Sequence, residues 1–124
     1  LKIIWQPSVF PVNSVKAMRG CIVADGMGKL VPFARACFEL YWSEDKDISQ
    51  DDVVAEACAR SDIDTAELGA ALADQAVKDQ LRANTEEVVK RGGFGTPTIF
   101  VNQDDMYFGN DRLELISAAI KRAG

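Results

Sequence analysis

Histidine is absent from the 124 residues, and this absence limits the chemistry that the chain can perform by itself. Histidine is the side chain that most often acts as a general base, and it is also the most common metal ligand. A Ser–His or Cys–His catalytic pair therefore cannot be built from this chain alone.

Cysteine is scarce as well, with three widely separated residues: Cys21, Cys37 and Cys58. An odd number at this spacing is neither a disulfide framework nor a set of metal ligands, so no metal site is expected. Each cysteine lies among apolar residues in a helical pattern, which favours a role as a small buried hydrophobic side chain. A redox or nucleophilic role is the alternative.

Basic patches and long apolar runs are missing too. The formal net charge is −5, so the surface should repel phosphate backbones, and we expect no nucleic-acid partner. The apolar runs are far shorter than the ~20 residues needed to cross a bilayer, and we expect no membrane partner. The first residues also lack the features of a signal peptide, so a cytoplasmic protein is expected.

The residues that are present predict a mostly helical chain. Segment 1–12 is expected to be extended because Pro7 and Pro11 exclude a helix there. Helices are predicted over 15–25, after a cap at Asn13 or Ser14, and over 30–42, 49–60, 64–73, 75–91 and 111–122. Ser49 with Asp52, and Asp64 with Glu67, have the spacing of capping boxes. The buried positions expected are Ala17, Cys21, Ile22 and Val23 in the first helix and Leu113, Ile116 and Ile120 in the last. In the second helix the apolar stripe is Phe33, Cys37 and Tyr41, joined by Ala34, Phe38 and Trp42. This stripe is expected to pack in the core, and lining a ligand cavity is the alternative for part of it.

Two short β-type runs, 98–101 and 106–108, predict one hairpin. An isolated hairpin is marginal in water, yet 99–101 is a continuous apolar run of the kind found in strands covered on both faces. Only 2–5 offers a further, weak strand. We therefore expect that the other strands of the sheet, and the segment that bears the reactive group, lie upstream of Leu1.

The first notable motif is Thr96–Pro97, directly before the first predicted strand. If this bond is cis, the backbone N–H and C=O of Thr96 point outward and can pair with an extended peptide ligand. An ordinary trans proline at the start of a strand is the alternative.

The second motif is Gly109–Asn110–Asp111–Arg112, at the start of the last predicted helix. Free N–H groups and the positive end of the helix dipole suit a carboxylate there, and Asp111 can accept from an ammonium group. Plain helix capping is the alternative.

Together, "GTPTIFV" and "YFGNDRLELI" resemble the C-terminal half of thioredoxin-fold proteins related to the bacterial oxidoreductase DsbA. More narrowly they resemble the branch of 2-hydroxychromene-2-carboxylate isomerases and kappa-class glutathione transferases, as do "FPVNSVKAMRG" and "ARACFELYWSEDKDIS". The resemblance implies an α/β, thioredoxin-like fold with an inserted helical domain, here truncated at the N-terminus. Residues 1–92 would be mostly the helical domain, and 93–124 the C-terminal part of the thioredoxin-like domain.

The resemblance also implies glutathione as the cofactor. Its cysteinyl backbone would bond to Thr96, beside Pro97. The γ-glutamyl end would be held by Phe108, Gly109, Asn110 and Asp111. Val12 and Asn13 would contact substrate. No catalytic residue of the family falls within this chain, because the expected Ser would lie upstream of Leu1.

The function implied for the intact parent is a glutathione-dependent isomerase. It would act on an unsaturated carbonyl compound or an aromatic-degradation intermediate, as a homodimer, and this chain alone would be inactive. A DsbA-like thiol-disulfide oxidoreductase and a non-catalytic helical binding module are the alternatives.

Overall fold

The computed structural model describes residues 2–124, so Leu1 of the predicted extended segment lies outside the described residues. Within them are six α-helices and one two-stranded antiparallel sheet. The helices are α1 (Val15–Gly26), α2 (Leu30–Trp42), α3 (Asp51–Arg60), α4 (Thr65–Leu72), α5 (Gln75–Lys90) and α6 (Leu113–Ala123). The strands are β1 (Thr98–Val101) and β2 (Asp105–Phe108), and a short 3-10 helix, Asn110–Arg112, precedes α6.

The chain divides into two compact units, of which the first ends at Arg82 and the second is Ala83–Gly124. The division falls within α5, whereas the domain boundary expected from the sequence follows that helix, and that boundary stays a prediction. Over residues 2–124, no helix combines the length and the apolar character needed to cross a membrane.

The core of the first unit lies between α1, α2, α3 and α4. Its largest fully buried side chains are Phe33, Leu40, Cys58 and Leu68. Burying side chains of this size stabilises a fold by roughly 1.5–3 kcal/mol each. Gly20 of α1 lets the Phe33 ring approach, since a Cβ at that glycine would lie 2.7 Å from two ring carbons. The close crossing of α1 and α2 therefore depends on the absence of a side chain at Gly20.

The burial predicted for α1 and α2 is partly confirmed. Ala17 is buried in α1, and Phe33, Cys37 and Tyr41 are buried in α2. The core position expected for Phe38 is wrong, because that side chain is 65% exposed, and Ala34 and Trp42 are only half-buried. The remaining predicted positions of α1 are only half-buried: Cys21, Ile22 and Val23. They lie at the margin of the core, which Cys21 and Val23 contact from its edge.

Residues 2–14 form an irregular segment of the first unit, before α1. The Ile4 N–H donates to the Trp42 carbonyl at 2.6 Å, and the Tyr41 hydroxyl donates to the Val9 carbonyl at 2.7 Å. The weak strand considered for 2–5 is therefore wrong. Its backbone bonds to the C-terminal end of α2, where carbonyl groups lack helical partners.

Two of the three predicted helix caps are confirmed. The Asn13 side-chain oxygen accepts from the Val15 N–H at 3.1 Å, and Asp64 accepts from the Glu67 N–H at 2.9 Å. The cap at Ser49 is wrong, because α3 begins at Asp51 and the Ser49 hydroxyl donates to Asp47 at 2.6 Å. Gln50 occupies the N-cap position instead, and the Ser49 oxygen accepts from the Gln50 side chain at 3.2 Å and not from a helix N–H.

The second unit is built on the hairpin of β1 and β2. Thr98 is opposite Phe108, and Val101 is opposite Asp105. Arg91 holds the turn from outside: its guanidinium lies 3.7 Å from the centre of the Phe100 ring and donates to the carbonyls of Asn102 and Gln103.

Helix α6 packs on one face of the hairpin, and fewer of its apolar residues are buried there than predicted. Ile116 and Ala119 are buried with Val101, but Leu113 is 64% exposed and Ile120 is 57% exposed. The predicted buried stripe is therefore wrong at these two positions. An apolar stripe of an amphipathic helix is wide, and two strands about 4.8 Å apart cover only its middle.

Candidate functional site

The turn before β1 presents an unpaired stretch of backbone. The Thr96–Pro97 peptide bond is cis, which is the isomer that peptide binding at Thr96 requires. The Thr98 hydroxyl donates to the Gly95 carbonyl and holds this turn. Thr96 is exposed, and over residues 2–124 neither its N–H nor its C=O has a hydrogen-bond partner. A donor and an acceptor are thus available to an extended ligand.

One hydrogen bond joins the two sequence motifs. The Gly109 N–H donates to the Pro97 carbonyl at 3.0 Å, one position beyond the Thr98–Phe108 pair of the hairpin. Segment 96–97 and segment 108–112 therefore lie side by side at the same end of the sheet. This places six of the predicted glutathione residues together: Thr96, Pro97, Phe108, Gly109, Asn110 and Asp111.

Gly109 has a backbone conformation that other residues rarely adopt, with φ of 105°. A Cβ there would lie 2.6 Å from a carboxylate oxygen of Asp111, so this carboxylate folds back over the glycine. Asp111 is 76% exposed, and its only ion pair among the described residues is a 3.9 Å contact with Arg112. Such an exposed pair is weak, which leaves the carboxylate available to a cationic ligand group.

An aromatic pair lies beside the turn. The rings of Phe94 and Phe108 are 4.7 Å apart, and Phe108 is 41% exposed. A Cβ at Gly95 would lie 2.9 Å from the Phe108 ring, so the glycine is needed for this approach. Phe94 was missed as a site residue, although its position between two glycines just before Thr96 was a usable signal.

The neighbouring Tyr107 faces the other side of the hairpin, as the alternation of side chains along a strand requires. It packs against the small core of Val101 and Ile116, and its hydroxyl donates to Asp105 at 2.9 Å. That hydrogen bond is the main cause of the raised pKa of Tyr107. Tyr107 is therefore a structural residue and not part of the candidate site.

The two predicted substrate residues, Val12 and Asn13, belong to the first unit. Val12 is half-buried and, with Cys37 and Tyr41, lines a cavity of about 360 Å³. Asn13 caps α1 through its side-chain oxygen, as described above. A substrate role for these two residues stays a prediction.

The cysteines have the properties of buried hydrophobic side chains. None forms a disulfide; Cys37 and Cys58 are buried and Cys21 is half-buried. Burial raises the pKa of the Cys37 thiol to about 12 and also raises the pKa values of Cys21 and Cys58. Reactive thiols have lowered pKa values, so these residues do not support a nucleophilic role. In residues 2–124 no cluster of acidic or cysteine side chains could hold a metal ion.

A cis-proline turn beside the first strand of a hairpin, followed by a helix packed on that hairpin, indicates a thioredoxin-like protein. Residues 1–121 match the family described as DSBA-like thioredoxin domain, and the chain belongs to that family.

Two curated relatives are similar to this chain. Glutathione S-transferase kappa 1 of Rattus norvegicus is 34% identical over 82 residues, which cover 61% of this chain and 36% of that protein. The 2-hydroxychromene-2-carboxylate isomerase of Pseudomonas putida is 25% identical over 118 residues, covering 94% of this chain and 58% of the relative. The chain thus spans between about a third and three fifths of these proteins.

A solved structure supports the same fold. The structure of selenomethionine 2-hydroxychromene-2-carboxylate isomerase matches with a TM-score of 0.83 and 22% identity, over 99% of this chain and 59% of that chain. At this identity the match establishes the thioredoxin-like fold. It confirms the fold class predicted from the sequence.

Proposed function

We propose that this protein binds glutathione at the end of the hairpin, and that it is the glutathione-binding part of a glutathione-dependent isomerase. The observation that carries the proposal is the Pro97–Gly109 hydrogen bond, which joins the turn that bears the unpaired Thr96 backbone to the segment that bears Asp111. The two named relatives, a kappa glutathione transferase and an isomerase, support the same class.

The residues present fit a γ-glutamyl peptide. The free N–H and C=O of Thr96 would pair with the backbone of its cysteinyl residue, as an added strand does. The Asp111 carboxylate would accept from its α-ammonium group, and Gly109 leaves space beside that carboxylate because it has no Cβ. N–H groups at the start of segment 110–112 would face its α-carboxylate.

When bound, glutathione would supply a thiolate that adds reversibly to an unsaturated carbonyl compound of the 2-hydroxychromene-2-carboxylate kind, which permits isomerisation. The described residues bind and orient the peptide, and we assign none of them a catalytic role. Phe108 and Phe94 would provide an apolar wall beside the turn. The cysteines of this chain are buried or half-buried, so they do not support the alternative function of a thiol-disulfide oxidoreductase.

Glutathione binding can be tested by calorimetry and by amide shifts of the ¹⁵N-labelled chain. We expect Asp111→Asn to weaken glutathione binding about tenfold, since it removes a charge-assisted hydrogen bond. The same change should leave the affinity for desamino-glutathione, which lacks the ammonium group, unaltered. Asp104→Asn is the matched control, because Asp104 is an exposed acid in the hairpin turn.

Absence of glutathione binding would contradict the proposal and favour a non-catalytic binding module. An equal loss of affinity for both ligands in Asp111→Asn would remove the role assigned to that carboxylate. Shifts confined to Thr96 and residues 108–111 are expected when glutathione is added.

Homodimerisation is also part of the proposal. The first unit has an apolar groove of about 1120 Å³ lined by Trp5, Phe10, Val31 and Phe38, each of which is more than half exposed. Exposed apolar patches of this kind mark interaction sites, which supports self-association. Sedimentation equilibrium would decide it, and a monomer at all concentrations would contradict it.

A further inference from the structure

A second concave site lies entirely within the first unit. It is formed by α1, α3, α4 and the first turn of α5, and it has a volume of about 490 Å³. We call it the basic cleft and define it by three cations, Lys16, Arg19 and Lys78, over an apolar floor of Val54, Leu68 and Leu72.

The cations of the basic cleft are only partly neutralised. Lys16 pairs with Asp51 at 2.7 Å, and Asp51 is the single acid that lines the cleft. Arg19 and Lys78 have no carboxylate partner among residues 2–124. This local excess of positive charge is notable in a chain whose formal net charge is −5.

Arg19 has a further unsatisfied group. Its Nε atom is buried and has no hydrogen-bond partner within the described chain. A buried donor without a partner destabilises a fold, and a guanidinium group is shaped to bond an oxyanion through two N–H groups at once. Arg19 lines the cleft, so an anion there would meet its guanidinium group, although the sealed Nε atom itself lies out of reach of such a ligand.

The apolar floor of the basic cleft indicates a second property of the ligand, in addition to its negative charge. Leu68 and Val54 are buried core residues, Leu72 is half-buried beside them, and Gly69 and Ala55 keep the walls low. The apolar surface that the cleft leaves in contact with water therefore belongs mainly to the half-buried Leu72 and Ala55, and an inorganic ion would not cover it. A ligand with an apolar body would cover it and keep its charge near Arg19 and Lys78.

We propose that the basic cleft binds a small organic anion, with a carboxylate or phosphate head on Arg19 and Lys78 and an apolar body against Leu72 and Ala55. The site is separate from the glutathione residues, none of which belongs to the first unit. Its occupancy therefore does not depend on the proposed function.

The test uses 2-naphthoate as the probe and 2-naphthalenemethanol, its neutral alcohol, as the matched ligand. On the ¹⁵N-labelled 124-residue chain, we expect saturable amide shifts at 16–19, 54–58, 65–72 and 78. A dissociation constant on the order of 1 mM or below is expected for a ligand of this size. The alcohol should bind about tenfold more weakly, and phenyl phosphate should compete with naphthoate.

Arg19→Gln and Lys78→Gln should each weaken naphthoate binding about tenfold. Arg82→Gln is the control, because it removes an exposed cation of the same helix that does not line the cleft. If Arg19→Gln lowers the melting temperature severely, naphthoate binding by the Lys78→Gln variant is the deciding measurement, because Lys78 is only half-buried. The proposal is overturned if naphthoate does not bind, if the alcohol binds equally well, or if Lys78→Gln behaves like Arg82→Gln.

Discussion

The carbonyl oxygen of Pro97 accepts a hydrogen bond from the Gly109 N–H at 3.0 Å. This single bond lies between segments that are twelve residues apart, and it brings the Thr96 backbone next to the 3-10 helix that begins at Asn110. The geometry proposed for glutathione binding therefore depends on this hydrogen bond between Pro97 and Gly109.

Gly109→Ala should destabilise the second unit and weaken glutathione binding. The substitution places a Cβ on a backbone with φ of 105° and 2.6 Å from an Asp111 oxygen. Gly92→Ala is the matched control, since Gly92 has φ of 90° but nothing within 4 Å of the added Cβ. Both variants should lose about 1 kcal/mol of unfolding free energy from backbone strain. Gly109→Ala should lose more, and equal losses would show that the Asp111 contact has no effect.

Arg91→Lys should loosen the hairpin although it keeps the charge. Lysine cannot stack a planar group on Phe100 and bond both turn carbonyls at the same time. We expect a loss of about 1 kcal/mol in urea unfolding and faster hydrogen exchange in segment 98–108. Arg82→Lys, at an exposed position of α5, the helix that precedes Arg91, should change neither. Unaltered exchange in Arg91→Lys would contradict the stabilising role assigned to the guanidinium.

Gly20→Ala and Gly69→Ala should change stability in opposite directions, although both glycines are helical. At Gly20 the new Cβ would lie 2.7 Å from the fully buried Phe33 ring, and such overpacking costs about 1–3 kcal/mol. At Gly69 nothing lies within 4 Å, so the higher helix propensity of alanine should add up to about 1 kcal/mol. Thermal unfolding of the two variants gives the comparison directly. Stabilisation by Gly20→Ala would show that the first core has room at this crossing.

Stability should fall in acid through the ion pairs around Arg60 and Lys46. Arg60 donates to Glu56 at 2.7 Å and to Glu44 at 2.9 Å, and Lys46 donates to Glu56 at 2.7 Å. The hydrogen bond from Arg60 lowers the pKa of Glu44, and the bonds from Lys46 and Arg60 lower that of Glu56.

A carboxylate with a lowered folded-state pKa stabilises the fold above its unfolded pKa, and this stability is lost as the pH falls through the folded value. The deficit of Glu56→Gln relative to the unchanged chain should therefore be largest near neutral pH and shrink below about pH 4. Urea unfolding from neutral pH to about pH 3 measures it, with Glu86→Gln, at an exposed position of α5, as the control. A deficit that does not vary with pH would contradict the assignment.

Much of the helical structure could be predicted because its signals are local. The periodicity of α2 and the cap at Asp64 depend on residues within one or two turns of the chain, and both were found. Ser49 was assigned wrongly because α3 begins at Asp51 with Gln50 in the N-cap position, and the Ser49 hydroxyl bonds to the side chains of Asp47 and Gln50.

By itself, the sequence determined the order of the helices, the hairpin and the family, since these follow from spacing, turn residues and the motifs at Thr96 and Gly109. Tertiary structure alone decided the Pro97–Gly109 bond, the stacking of Arg91 on Phe100 and the unpaired Arg19 in the basic cleft. These contacts join residues that are far apart in the sequence. Short-range sequence patterns do not show which distant residues meet in the folded protein. The exposure of Leu113 and Ile120 was decided in the same way, because a helix pattern states which face is apolar but not how much of it the neighbouring sheet can cover.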